Sequence, residues 1–154
     1  MDLYLKWHKP IPLKDSPSAN RIYDVTLDSI PDTPGIYIFF RLHGVKHEAL
    51  YVGKATSLKT RIRQHLNINN DKLMEGIKNS PNGSRSLAFG EFVAKPGQQL
   101  KRSLGRMERG LIRHYYALGD RLLNIQGIRI VEDSLTSQRS ELKSLIPRAL
   151  YFER

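Results

Sequence analysis

Residues 34–66 place two short apolar runs ahead of a segment with helical spacing, and this pattern constrains the fold most strongly. The runs Gly35–Phe40 and Ala49–Val52 are separated by a polar connector that contains Gly44. Apolar runs of this length around a glycine-containing connector are typical of an antiparallel β-hairpin. From Leu58 onward the apolar residues recur every fourth position, so we predict a helix directly after the hairpin.

The polar residues of the predicted helix are also ordered. Its apolar stripe consists of Leu58, Ile62 and Leu66, and Thr56 or Ser57 is placed to cap its first turn. Arg61 and His65 lie one turn apart beside this stripe, whereas Lys59 and Arg63 point toward water. Basic and phenolic groups therefore converge near one edge of the hairpin, an arrangement suited to phosphate chemistry; they are Tyr37, Tyr51, Lys54, Arg61 and His65.

At these residues the chain resembles the GIY-YIG nuclease family. Gly35-Ile36-Tyr37 matches the first signature of the family, and Tyr51-Val52-Gly53 matches the second with valine in place of isoleucine. Lys54 follows the second signature, and Arg61 falls at the arginine of the family's helix. His65 stands one turn further on, where other members carry tyrosine. The resemblance covers residues 34–124, and the connector between the signatures is longer than in many members.

The resemblance implies an α+β fold, with a small three-stranded antiparallel sheet flanked by helices. The third strand is predicted at Leu87–Val93 and the longest helix at Gln98–Leu118. We expect a nuclease core at residues 34–125, an N-terminal extension at 1–33 and a C-terminal extension at 126–154 packed on the core. Further elements are predicted from shorter apolar patterns: an edge strand at Leu3–Trp7, a strand at Ile22–Thr26, a helix at Asn70–Lys78, a strand at Ile128–Val131 and a helix at Gln138–Ile146.

Glu108 is the most informative residue of the long helix. The helix carries an apolar stripe, and Glu108 falls within it, between Ile112 and Tyr115; the stripe is Leu100, Leu104, Met107, Leu111, Tyr115 and Leu118. A carboxylate on a buried face is costly unless it is paired or binds a cation. One interpretation is a salt bridge to Arg61 or a lysine. The resemblance favours the other, a divalent-metal ligand, because the family's invariant carboxylate lies on this helix.

The resemblance also implies roles for the remaining site residues. Glu108 would hold Mg²⁺ or Mn²⁺, and Arg61 would bind the scissile phosphate. One signature tyrosine would deprotonate the attacking water while the other orients it, and we predict Tyr37 as the base. His65 would hold a phosphate or relay a proton. Supporting roles fall to Gly53, Lys54 and Asn124, and the nucleic acid would be bound by Lys54, Lys59, Arg61 and Arg63.

The charge of the chain favours a polyanionic partner. Lys and Arg number 25 against 15 Asp and Glu, which gives a net charge of +10. We expect DNA as the partner, with RNA as an alternative, and no membrane association. Cysteine is absent, which excludes a disulfide framework and a thiolate nucleophile and is consistent with a cytoplasmic protein. The first residues lack the apolar run of a signal peptide.

These observations lead to one predicted function and one alternative. We predict a metal-dependent endonuclease that hydrolyses DNA phosphodiester bonds and leaves 5′-phosphate and 3′-hydroxyl ends. The alternative is a catalytically silent nucleic-acid-binding module, which would need the basic residues but not Glu108.

Overall fold

The computed structural model of the chain describes residues 2–124, 132–136 and 149–153. Within these ranges the secondary-structure elements, in chain order, are β1 (Leu5–Trp7), β2 (Ile11–Pro12), β3 (Lys14–Asp15), β4 (Tyr23–Asp24), a 3₁₀ turn (Leu27–Ser29), β5 (Gly35–His43), β6 (Lys46–Ala55), α1 (Leu58–Leu66), α2 (Leu73–Lys78), β7 (Ser84–Phe92), α3 (Leu100–Ala117), β8 (Glu132–Thr136) and β9 (Ala149–Glu153). No helix among them is both long and apolar enough to cross a bilayer.

The central sheet confirms the predicted α+β fold and extends it. The three predicted strands are β5, β6 and β7, and β5 pairs antiparallel with both of the others. In the described residues the sheet contains five strands, because β1 and β2 both pair with β7. The order β1-β7-β5-β6 leaves β6 at an edge. The predicted edge strand near Trp7 is therefore present as β1.

The hairpin of β5 and β6 is longer than the two apolar runs that predicted it. Pairing continues out to His43 and Lys46 around Gly44, whose φ is +61°. The polar connector is mostly strand because buried Arg41 and Glu48 face each other across the ladder, with Arg41 Nε donating to the Glu48 carboxylate over 2.6 Å. An ion pair of this kind lets charged residues occupy paired strands, which apolar periodicity does not reveal.

The two faces of the sheet are covered by different helices. Tyr37 and Phe39 of β5 point to the face that carries α1 and α2, and pack there with the predicted stripe of α1. Ile36 and Ile38 point to the opposite face, where they meet α3. Ser57 caps α1, since its side chain accepts a hydrogen bond from the Thr60 N–H. The prediction of α1 is thus confirmed in position, cap and buried face.

The apolar stripe predicted for α3 is wrong at its ends. Leu100 and Leu118 are exposed, and Ser103 and Gly105 are buried instead. The buried residues of α3 all lie between 103 and 112, so only the middle of the helix is covered by the sheet. The helix ends as predicted next to Gly119, which has a φ of +88°.

The two C-terminal strands form a separate antiparallel pair, β8 with β9. The strand predicted at Ile128–Val131 and the helix predicted at Gln138–Ile146 lie outside the described residues. The predicted boundaries of the nuclease core, at residues 33/34 and 125/126, stay a prediction.

Candidate active site

Tyr37 lies at the centre of the candidate site, beneath the surface. Its side chain is buried, and its hydroxyl oxygen is 2.6 Å from Nε2 of His65 on α1. Burial, together with the neighbouring Tyr51 phenol, raises the pKa of the Tyr37 hydroxyl, and the Arg61 guanidinium offsets this only in part. Tyr37 is therefore a neutral phenol in the resting protein.

His65 connects Tyr37 to a carboxylate that the sequence had not singled out. The imidazole is buried, and its Nδ1 is 2.7 Å from a carboxylate oxygen of Asp71. Burial lowers the pKa of His65; Asp71 acts in the opposite direction and Arg61 reinforces the effect of burial. His65 is thus a neutral imidazole near neutral pH, with one nitrogen toward Tyr37 and the other toward Asp71.

Tyr51 is the signature tyrosine that reaches an open surface. Its ring lies 6.1 Å from that of Tyr37, with the planes 25° apart. It lines a cleft of about 450 Å³, which we call the Tyr51 cleft and whose walls are Tyr51, Arg61, His65, Asp71, Lys72, Leu73, Gly76 and Leu123. Burial raises the pKa of the Tyr51 hydroxyl; Tyr37 and Arg61 act to lower it, and Glu108 and Asp71 act to raise it.

Arg61 stands on the exposed side of α1 and lines two clefts. One is the Tyr51 cleft, and the other, which we call the Lys54 cleft, is lined by Lys54, Ala55, Thr56, Ser57, Thr60, Arg61 and Gln64. Burial disfavours the charge of Arg61, but the two phenols and Asp71 outweigh it and raise the pKa of the guanidinium. Arg61 is a permanent cation that an anionic ligand can reach from either cleft.

Glu108 is paired with Lys54 in the structure. Nζ of Lys54 is 2.7 Å from a carboxylate oxygen of Glu108, whose side chain is 17% exposed. The sequence analysis considered a salt bridge from Glu108 to Arg61 or to a lysine, and the structure contains the one to a lysine, Lys54. Glu108 also lies close enough to Tyr51 for its charge to act on that phenol.

The donor set at Glu108 fits one hard cation held jointly by protein and ligand. Among the described residues no three His, Cys, Asp or Glu side chains converge as a metal cage would require. Mg²⁺ does not need such a cage, since it commonly binds one or two carboxylates, waters and phosphate oxygens. Glu108 is a partly accessible carboxylate of this type. A cation could bind it once the ammonium of Lys54 moves away from the carboxylate oxygen.

Comparison with known proteins supports the resemblance found in the sequence. Residues 33–80 match the family model described as a UvrC-like GIY-YIG domain. This match supports a GIY-YIG domain at residues 33–80. It is 39% identical over 54 residues to UvrABC system protein C of Christiangramia forsetii, covering 35% of this chain and 8% of that protein. It is 54% identical over 35 residues to UvrABC system protein C of Desulforudis audaxviator, covering 23% and 5%.

The matched part of these relatives is small, so the chain spans less than a tenth of their length. No solved structure gives a significant match. The GIY-YIG match includes Tyr37, Tyr51, Arg61 and His65, whereas Glu108 lies beyond it. The place of Glu108 beside the site is therefore known from the structure alone.

The structure places the predicted site residues in two groups, which meet at the Lys54 cleft that Lys54 and Arg61 both line. Tyr37, Tyr51, Arg61 and His65 share the α1 face of the sheet, and Lys54 and Glu108 meet on the α3 face at the end of β6. Arg63 is exposed as expected, but Lys59 is half-buried, with its backbone N–H bonded to the Pro31 carbonyl. Lys59 is therefore less exposed than the helical spacing predicted.

Asn124 lies against the free edge of β6. Its Nδ2 donates to the Val52 carbonyl over 2.6 Å, and its Oδ1 is 3.5 Å from the Val52 N–H. The same segment also contacts β6 through Asp120, which accepts from the Ala49 N–H, and Leu123, whose N–H donates to the Leu50 carbonyl. These bonds occupy backbone groups that an edge strand otherwise leaves open.

Two residues of this region were missed from the sequence. Asp71 precedes α2 and accepts the Leu73 N–H, a common position for aspartate at the start of a helix. Asp120 follows the glycine that ends α3. Each had a local signal for a turn or cap, but nothing in the local pattern connects either residue to the site.

Proposed function

We propose that the protein is an endonuclease that hydrolyses phosphodiester bonds of DNA with the help of a divalent cation. The observation that carries this proposal is the convergence of a phenol, an imidazole and a guanidinium at one open cleft in a GIY-YIG domain. These groups supply a proton acceptor and charge stabilisation, the two requirements for water to attack a phosphodiester.

In this proposal Arg61 binds a non-bridging oxygen of the scissile phosphate through its planar guanidinium. Arg61 lines both clefts, and this placement supports the role. A DNA strand that passed from one cleft to the other would bring a phosphate to Arg61. Arg61 also stabilises the additional negative charge of the pentacovalent state.

Tyr37 acts as the base in this proposal through Tyr51, by transferring protons rather than by being ionised in advance. Its raised pKa excludes a resting phenolate. Tyr37 is buried and lines neither cleft. The attacking water therefore gives its proton to the Tyr51 oxygen in the cleft, Tyr51 gives its own proton to the neighbouring Tyr37, and Tyr37 gives its own to Nε2 of His65. The water oxygen bonds to phosphorus, the bond from phosphorus to the 3′-oxygen breaks, and the departing 3′-oxygen takes a proton from solvent. Tyr51, which lines the cleft, also orients the water.

Glu108 would hold Mg²⁺ or Mn²⁺, which when bound supplies positive charge next to the leaving oxygen and the phosphate. Lys54 would then exchange Glu108 for a phosphate oxygen. The resulting ends are a 5′-phosphate and a 3′-hydroxyl.

A nuclease assay on supercoiled plasmid and branched DNA, with Mg²⁺, Mn²⁺ or EDTA, tests the proposal. We expect nicks that DNA ligase reseals, since ligase requires a 5′-phosphate and a 3′-hydroxyl. Glu108→Gln should abolish cleavage and keep DNA binding, while Glu75→Gln, an exposed carboxylate on α2, serves as the matched control. Arg61→Ala should lower kcat by about 10²- to 10³-fold, as for the loss of other charge-stabilising donors. Cleavage by Glu108→Gln at the parent rate would contradict the metal-binding role.

A second candidate is a nucleic-acid-binding module without catalysis. The ion pair of Lys54 and Glu108 favours it, because a neutralised carboxylate needs no metal and does not repel phosphate strongly. A parent protein that binds DNA and cleaves neither DNA nor RNA with either metal would establish this function instead.

A further inference from the structure

Asp71 contacts two groups with its two carboxylate oxygens. Oδ2 is 2.7 Å from Nδ1 of His65, and Oδ1 accepts the Leu73 N–H at the start of α2 over 3.0 Å. Its side chain is 34% exposed, whereas that of His65 is 3% exposed. Asp71 therefore joins a buried imidazole to a helix start at the wall of the Tyr51 cleft.

An ionised carboxylate is an acceptor only, which determines where the proton of a neutral imidazole must lie. With Asp71 facing Nδ1, the hydrogen is on Nδ1 and Nε2 carries the lone pair. Nε2 can then accept the hydroxyl proton of Tyr37, which is 2.6 Å away. In the opposite tautomer Nε2–H would point at the phenol and could not receive its proton.

We propose that Asp71 is a positioning residue that fixes His65 in the Nδ1–H tautomer, so that Nε2 can receive the Tyr37 proton. Its catalytic consequence rests on the proposed function, whereas the tautomer itself does not. When His65 accepts the proton, the Asp71 carboxylate also stabilises the imidazolium. An orienting carboxylate does the same for the histidine of a Ser-His-Asp triad.

The charged and titratable groups that face His65 agree with this assignment. Tyr37 and Tyr51 approach it from the sheet, Arg61 lies one turn away on α1, and Asp71 faces it from the loop before α2. Lys72 lines the same cleft. Asp71 is the one carboxylate among these groups, so it is the group placed to hold a proton on Nδ1.

Asp71→Asn separates the two contacts of Asp71. An amide has one acceptor oxygen, whereas the carboxylate uses two. If the amide oxygen keeps the Leu73 N–H, the NH₂ group faces Nδ1 and moves the imidazole proton to Nε2. Asp71→Ser is a second variant, because the serine hydroxyl can accept the Leu73 N–H in the same short turn and is too short to reach His65. Asp32→Asn, which changes an exposed acceptor of the Ser57 hydroxyl, is the matched control.

The first measurement is the tautomer of His65, from imidazole ¹⁵N shifts of the intact chain near pH 7.5. We expect the Nδ1–H form in the parent and in Asp32→Asn, and a predominantly Nε2–H form in Asp71→Asn. Asp71→Ser should lower the Nδ1–H population, which keeps the test available if Asp71→Asn fails to fold. An Nε2–H or doubly protonated His65 in the parent, or an unchanged tautomer in both Asp71 variants, overturns the proposal.

The second measurement is kinetic, on the DNA that the parent cleaves. Asp71→Asn should lower kcat by about tenfold or more with little change in KM or melting temperature, since it disturbs proton transfer and leaves phosphate binding intact. A kcat equal to that of Asp32→Asn overturns the positioning role. If the parent cleaves nothing, the proposed endonuclease function fails, and the ¹⁵N measurement alone decides whether Asp71 sets the tautomer.

Discussion

The ring of Tyr37 lies directly over Gly53 on the paired strand. A Cβ placed on Gly53 would be 2.3 Å from both Cζ and the hydroxyl oxygen of Tyr37. The two residues are register partners across β5 and β6. The glycine of the second signature is therefore needed because the tyrosine of the first signature occupies the space that a side chain would fill.

Gly53→Ala should be destabilising because neither the strand nor the buried ring can move freely. Overpacking of this kind costs about 1–3 kcal/mol in the free energy of unfolding, and it should also move the Tyr37 hydroxyl away from His65. Gly110→Ala is the matched control, since a Cβ at this helical position meets no atom within 4 Å. That change should stabilise α3 by up to about 1 kcal/mol. Urea unfolding of both variants checks the pair, and equal stabilities would contradict the packing argument.

The hairpin and α1 could be predicted from the sequence because their signals are local. Apolar spacing defines the buried stripe of α1, and the residue before it supplies the cap. The length of β5 and β6 was harder to predict, because their outer parts are polar and are joined by the ion pair of Arg41 and Glu48. Local patterns thus identify elements better than they identify where the elements end.

The contacts that shape the site depend on how separate elements pack. Asp71 reaches His65 because the loop before α2 folds back over α1, and Lys54 reaches Glu108 because α3 crosses beneath the end of β6. No periodicity encodes either pairing. The helical pattern identified Glu108 but did not decide whether its partner is a metal, an arginine or a lysine. The contact with Lys54 became known only from the folded structure.

Tyr37→Phe and Tyr51→Phe should differ in both stability and rate. Loss of the Tyr37 hydroxyl leaves Nε2 of buried His65 without its partner, which costs about 1–3 kcal/mol of stability. It should also lower kcat by roughly 10²- to 10⁴-fold if Tyr37 is the base. Tyr51 is half-buried, so solvent can replace part of its role and both losses should be smaller. A larger kcat loss for Tyr51→Phe would assign the base to Tyr51.

Stability should decline in mild acid because His65 is buried as a neutral imidazole. Its pKa is lowered in the folded protein, so between that pKa and the ordinary value of about 6.5 the unfolded chain binds more protons. Stability conferred by neutral His65 is therefore complete above about pH 6.5 and falls with decreasing pH, by at most about 1.4 kcal/mol per pH unit. His65→Gln keeps a hydrogen-bond acceptor for Tyr37, but its side chain does not titrate between pH 5 and 8. Unfolding of both proteins from pH 5 to 8 should show a stability difference that shrinks toward pH 5; a constant difference would contradict the assignment.

Lys54 should compete with a metal ion for Glu108. Lys54→Met removes the ammonium and leaves the carboxylate, so Mn²⁺ should bind more tightly. The expected decrease in Kd is up to about fivefold, the equivalent of a partly exposed ion pair of at most about 1 kcal/mol. Glu108→Gln should lose most Mn²⁺ binding, and Glu75→Gln should bind as the parent does. Isothermal titration measures all four proteins, and unchanged Mn²⁺ affinity in Glu108→Gln would exclude Glu108 as the ligand.

DNA affinity should depend steeply on salt, and the dependence should map to the basic residues of α1 and of the two clefts. Each phosphate neutralised by Lys or Arg releases counterions, and contributes about 0.9 to the slope of log affinity against log salt on duplex DNA. Lys54→Ala, Arg61→Ala and Arg63→Ala should each lower the slope by roughly that amount, and the half-buried Lys59→Ala should lower it less. Lys46→Ala is the control: it begins β6, whereas Lys54 lies near the other end of this ten-residue strand, roughly 26 Å away at the rise of an extended chain. The slopes come from fluorescence anisotropy titrations at several salt concentrations. If Lys46→Ala lowers the slope as much as Arg61→Ala does, the DNA is held by the general positive charge of the surface and not by the two clefts.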